Sequence, residues 1–119
     1  MRESTILALV RRAVCRDGRC VVTRNTVGAG WIVDKRSGRE SFLRWGLGNG
    51  SPDLVGVVAK GPFKGRCMTI ETKTEEGRLS PAQKAWRRAA RARGIFYAVA
   101  RTEEAGLAAA DRAYRGELE

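Results

Sequence analysis

Histidine is absent from all 119 residues. That removes Ser-His-Asp and Cys-His nucleophilic catalysis, histidine as a general base, and the imidazole ligands that zinc sites favour. Cysteine is sparse: Cys15, Cys20 and Cys67 are odd in number and none belongs to a CxxC pair, which again argues against zinc. Long apolar runs are lacking, the longest being residues 95–100, far too short to cross a bilayer. Met1 is followed at once by Arg2 and Glu3, and Arg11 and Arg12 interrupt the next apolar segment, so no signal peptide is expected. A cytoplasmic setting with reduced thiols follows as the expectation. There is no GxxxxGK[ST] and no dinucleotide fingerprint, so no nucleotide cofactor is expected. Acid–base chemistry must then rest on carboxylates, lysine or metal-bound water.

Positive charge is plentiful. Lys and Arg number 23 against 13 Asp and Glu, a formal net charge of +10. So large a surplus on one small domain points to a polyanionic partner, nucleic acid above all. The arginines are spread over several elements and no lipidation signal is visible, which disfavours a membrane surface. The length fits a single domain, residues 1–119, with a real core.

Along the chain, residues 2–16 read as a helix through the apolar stripe Ile6, Leu7, Val10 and Val14. Glu3 falls in its first turn, where a carboxylate offsets the helix dipole. Residues 20–26 read as a strand. Residues 31–34 and 42–45 are short strand candidates, but 27–47 as a whole carry no decisive pattern. Trp31 and Trp45, near Arg44, suit either a core or stacking on bases. Gly46, Gly48 and Gly50 make a glycine-dense loop that could admit a phosphodiester or simply be a surface loop.

The chain is organised around residues 48–73. Leu54 to Val58 reads as a buried strand. A turn over 61–65 leads into a second strand, on which Met68 and Ile70 share one face and Cys67, Thr69, Glu71 and Lys73 the other. Charges on the half-buried face of a strand are costly unless paired or metal-bound. If the strands pair antiparallel, Asp53, at the mouth of the first, returns beside Glu71 and Lys73. Asp53 and Glu71 then offer carboxylate oxygens to a hard divalent cation, and the Thr72 carbonyl offers a third ligand. Such a cation would polarise a phosphate and lower the pKa of the attacking water. Lys73 would orient or deprotonate that water, or stabilise charge on phosphorus.

Ser80, Pro81 and Gln83 open a helix with a capping box. Its packing face is Ala82, Ala85, Trp86, Ala89 and Ala90. Lys84, Arg87, Arg88, Arg91 and Arg93 give it a positive surface, with Lys84, Arg87, Arg88 and Arg91 the expected DNA-binding track. Residues 95–100 read as a strand reached by a parallel crossover. Thr102 caps a last helix with Glu103 and Glu104 in its first turn. From Gly116 the tail is expected to fray.

SPD at 51–53, ETK at 71–73 and SPAQ at 80–83 resemble the PD-(D/E)xK nuclease motif, and more narrowly the VRR-NUC domain, the virus-type replication-repair nuclease. Glu3 in the first helix and Gly50 before the Pro-Asp pair extend the likeness, which covers the chain except residues 19–45. The resemblance implies an α/β, restriction-endonuclease-like core, a small mixed β-sheet flanked by helices. It implies Mg²⁺ or Mn²⁺ on Asp53 and Glu71, a catalytic Lys73, and Glu3 and Gln83 completing the site. It also implies a virus-encoded homodimer cutting branched DNA such as four-way junctions. Two alternatives stand beside it. One is a non-catalytic DNA-binding module on the same fold, against which the clustered carboxylates argue. The other is a sequence-specific nuclease, for which the short loops leave little base-reading material.

Overall fold

The computed structural model describes residues 1–119, the side chain of Trp45 excepted. Nine elements follow one another: α1 (Glu3–Cys15), β1 (Cys20–Arg24), β2 (Gly28–Val33), β3 (Glu40–Trp45), β4 (Leu54–Val58), β5 (Cys67–Thr72), α2 (Pro81–Ala92), β6 (Phe96–Ala100) and α3 (Glu103–Tyr114). Four strands form a mixed sheet in the order β1-β4-β5-β6, while β2 and β3 pair only with each other. β4 and β5 are antiparallel, joined through the glycine-bounded turn as the sequence suggested. β6 runs parallel to β5 after the α2 crossover.

One face of the sheet carries the main core. Alternation places Leu54 and Val58, Met68 and Ile70, and Phe96, Ala98 and Ala100 on that face. They pack in one cluster with Ile6, Val10 and Val14 of α1 and Ala109, Ala110 and Ala113 of α3. α1 and α3 lie close because α3 presents Gly106, where an added Cβ would stand 3.1 Å from Val10 Cγ1. Thr102 caps α3 by accepting from the Ala105 amide. α2 covers the opposite face over β6, docking through Ala90, with Ala82, Trp86 and Ala89 half-buried.

Several expectations are corrected here. Ala85 is exposed, because α2 lies mainly over β6 and its contact stripe is narrow. The rest of that face is uncovered, so Val57 is 43% exposed rather than buried, as is its cross-strand partner Val21 at 53%. The reverse holds on β5: Thr69 and Glu71, expected on a half-buried face, are fully buried. Thr69 resolves its hydroxyl by donating to the Phe96 carbonyl at 2.8 Å. The tail after Gly116 is docked, not frayed. The Tyr97 amide donates to the Leu118 carbonyl at 3.0 Å, and Arg66 donates to the Gly116 carbonyl at 2.6 Å. A backbone that finds partners along the free edge of β6 has no reason to fray.

The radius of gyration is 15.9 Å, against about 13.5 Å for a compact chain of this length. The principal extents are 51, 33 and 27 Å, so the chain is elongated. No helix is long and apolar enough to cross a membrane.

Candidate active site

The register decides the site. Leu54 pairs with Ile70, so one step further along the ladder Asp53 stands opposite Glu71. Cross-strand partners share a face, and both carboxylates therefore come to the same end of the sheet. The first turn of α1 adds Glu3. The three residues present carboxylate oxygens within 4.8 Å of one another, Glu3 exposed, Asp53 half-buried and Glu71 buried. Glu3 thus joins the cluster as well as facing the helix dipole.

Each carboxylate is held differently. Asp53 Oδ2 accepts from the Thr72 amide at 3.0 Å and from the Thr72 hydroxyl at 2.8 Å. Thr72, singled out for its carbonyl, fixes the aspartate through its N–H and O–H. Glu71 Oε1 accepts from Gln83 Nε2 at 3.3 Å. Gln83 also closes the α2 capping box: its Oε1 accepts from the Ser80 amide and its own amide donates to Ser80 Oγ. One residue thereby ties the helix start to the site. Glu71 Oε2 is buried with no hydrogen-bond partner among the described residues. Burial first, then the neighbouring Asp53 carboxylate, push the Glu71 carboxyl up from 4.5 to about 9; Lys73 opposes this and Glu3 adds to it. Lys73 is half-buried just past β5, and its amide donates to the Ala100 carbonyl at 3.2 Å. Its ammonium forms no ion pair among the described residues.

Two further residues, Asn25 and Gly50, shape the mouth. Asn25 Nδ2 donates to Ser51 Oγ and to the Pro52 carbonyl, its amide donates to the Asp53 carbonyl, and its Oδ1 accepts from the Leu47 amide. Asn25 therefore clamps the glycine-dense loop onto the strand mouth. Nothing in its local sequence marked it, since the strand was expected to run through it. Gly50 has φ +80°, and a Cβ there would meet the Ala82 backbone at 2.6 Å. The loop can rest on the start of α2 only without a side chain at that position.

The result is a cleft of about 300 Å³ whose lining includes Asn25, Gly50, Ser51, Asp53, Glu71 and Gln83. A larger cavity of about 790 Å³ lies elsewhere, lined by Glu75, Glu76, Glu103 and Glu104 among others. Four carboxylates with no convergent oxygen cluster among the described residues suit a polyanion poorly, so the smaller cleft is the candidate site.

The donor set fits a hard divalent cation. It consists of carboxylate oxygens from three residues, and one buried carboxylate oxygen is without a partner among the described residues. Of the four expected DNA-binding residues on α2, Lys84 and Arg88 are exposed. Arg87 and Arg91 both pair with Glu119. The aromatic reading of Trp45 falls on a side chain outside the described residues.

The site defines a mixed α/β protein with a carboxylate cluster at the strand ends and a cationic surface. Residues 26–104 match the model of the VRR-NUC domain. The chain belongs to the VRR-NUC family, a nuclease-type, DNA-processing domain, and its small mixed sheet with three helices accords with a restriction-endonuclease-like core. The comparison with curated proteins returned no match. The matched span differs from the extent expected of the likeness: it includes most of residues 19–45 and leaves out α1. The place of Glu3 in the site therefore rests on geometry.

Proposed function

We propose that this chain is a divalent-metal-dependent, structure-selective DNA endonuclease acting on four-way junctions or other branched DNA. The observation that carries the reading is the convergence of Glu3, Asp53 and Glu71 around one point, with an unpartnered buried oxygen on Glu71. Asp53, Glu71 and Glu3 would hold Mg²⁺ or Mn²⁺, with the Thr72 carbonyl a further candidate ligand. Such a cation supplies Lewis acidity toward a phosphate oxygen.

The chain's own residues do the rest. Thr72 fixes the Asp53 carboxylate, and Gln83 fixes that of Glu71, so neither must reorganise when substrate arrives. Lys73, on the same face as Glu71 by strand alternation, brings a cation to the scissile phosphate and its attacking water. Lys84, Arg88, Arg87 and Arg91 line α2 as a phosphate track, the last two on release from Glu119.

Residues 1–119 act as one domain in this reading. A homodimer would place two sites on a two-fold junction. The uncovered sheet face around Val21 and Val57 supplies apolar surface for pairing. A virus-encoded enzyme of the host cytoplasm rests on the family likeness alone.

The test is incubation of the purified protein with four-way junction, duplex and single-stranded DNA in Mg²⁺, Mn²⁺ or EDTA. Junction cutting should require metal and should vanish in Glu71→Ala and Lys73→Ala, with DNA binding retained. Undiminished cutting by those variants would refute the site. Equal cutting of duplex and junction would refute the selectivity. Metal-independent binding with no cutting at all would leave a DNA-binding module.

A further inference from the structure

The β2–β3 hairpin has no part in the catalytic account. It also stands apart from the four-stranded sheet. Six residues per strand give it a reach of about 20 Å. Its side chains are unlike those of a solvated loop: Trp31 is 70% exposed, Ile32 49%, Phe42 48% and Leu43 46%. Trp31 and Phe42 are directly opposed in the ladder and so share one face. Their ring centroids lie 5.4 Å apart at 60°. Arg44, two residues from Phe42 on that face, holds its guanidinium carbon 5.6 Å from the Phe42 centroid. Lys35, Arg36 and Arg39 occupy the tip, with Asp34 and Glu40 the acidic residues of the ribbon.

The root of the hairpin is the rim of the active-site cleft. Arg24, Asn25, Thr26 and Val27 line that cleft together with Asp53 and Glu71. Asn25, just before β2, is the residue that clamps the Asp53 loop, and it also accepts from the Leu47 amide just after β3. A phosphodiester seated at the carboxylates therefore has its flanking nucleotides beside this ribbon.

We propose that the hairpin reads the substrate's branch: Trp31 and Phe42 stack on bases left unpaired or unstacked next to the scissile phosphate, while Arg44 and the basic tip hold the flanking backbone. The proposal rests on the nuclease reading and assigns structure selectivity to an element that the carboxylate site lacks. Exposed aromatic faces bind any base, so they select for unstacking rather than for sequence. Two-stranded ribbons also fit a DNA groove. Position and local charge favour the DNA substrate over a second copy of this chain as the occupant. The basic tip lies on the ribbon whose root rims the carboxylate cleft, so a polyanion seated in that cleft is drawn to it.

The test is binding in EDTA, where no cutting intervenes. Labelled four-way junction and duplex of equal length are titrated with wild type, Trp31→Ala/Phe42→Ala and Trp31→Phe, with 2-aminopurine at the branch. Wild type should prefer the junction and brighten the 2-aminopurine. The double variant should lose on the order of 10- to 100-fold in junction affinity, keep its duplex affinity and melting temperature, and leave the 2-aminopurine dark. Trp31→Phe should retain most of the preference. An unchanged preference in the double variant overturns the proposal, as does a wild type that binds both DNAs alike. Sedimentation in which the double variant turns a dimer into a monomer overturns it in favour of a self-association surface. Failure of the nuclease reading would show separately, as absent cleavage by wild type with Mg²⁺ or Mn²⁺.

Discussion

Replacing Glu71 by Gln should make the metal-free protein more stable at neutral pH. Glu71 is 2% exposed and its carboxyl sits at about 9 in the folded chain, raised from 4.5 by burial and by Asp53. Between those values the folded state holds a proton that the unfolded state has released. Stability from this group is therefore fully present below about 4.5 and declines as pH rises toward about 9, by about 1.4 kcal/mol per pH unit. At pH 7 the loss amounts to about 3 kcal/mol. Glutamine has no proton to release. Its side-chain carbonyl can still accept from Gln83 Nε2. In EDTA at pH 7, Glu71→Gln should melt on the order of 10 °C above wild type, and the gap should close near pH 4. Adding Mg²⁺ or Mn²⁺ should raise wild type more than the variant, because binding draws on the ionised carboxylate. Thermal melts across pH, with and without metal, measure all of this. Parallel pH curves for the two proteins, or a gap that widens toward acid, would refute the reasoning.

Thr72→Val removes the hydroxyl that Asp53 accepts from at 2.8 Å while leaving the amide contact; cleavage should drop on the order of 10-fold, about 1.4 kcal/mol of barrier, with stability little changed, read by single-turnover assays beside a melt. Tyr97→Phe deletes a buried hydroxyl that has no partner among the described residues; urea unfolding should show the variant as stable as wild type or more so, by about 1 kcal/mol. Lys84→Glu/Arg88→Glu should weaken binding to every DNA alike and flatten the dependence of log affinity on log salt by about 2 or more, with the melting temperature unmoved. A substrate-specific loss would contradict a phosphate-tracking role.

Much of this molecule was written into local patterns. The stripe Ile6, Val10 and Val14 set α1, the Ser80–Gln83 box set the start of α2, and Thr102 set the start of α3. These are short-range effects of side-chain spacing and capping, so they survive without knowledge of the fold. The convergence of Asp53 and Glu71 was legible for a related reason: they sit at the open ends of two strands joined by a short turn, and the antiparallel register follows from that connection. Gln83 was legible only in part, since a complete capping box already accounted for it.

What the tertiary structure alone decided is long-range. The pairing of β1 with β4 and the separation of β2–β3 from the main sheet depend on which edges meet, and no local pattern in 27–47 fixed that. The narrow reach of α2 over β6 left Val57 in solvent and Ala85 uncovered. The free edge of β6 captured the tail. Asn25 became the clamp of the site because an edge strand happens to end beside the Asp53 loop. Burial of Glu71, and with it the neutral carboxyl of the metal-free site, likewise arises from three distant segments closing over one strand. Sequence spacing specifies what each segment can become; only the assembled packing sets which groups lose water and which charges meet.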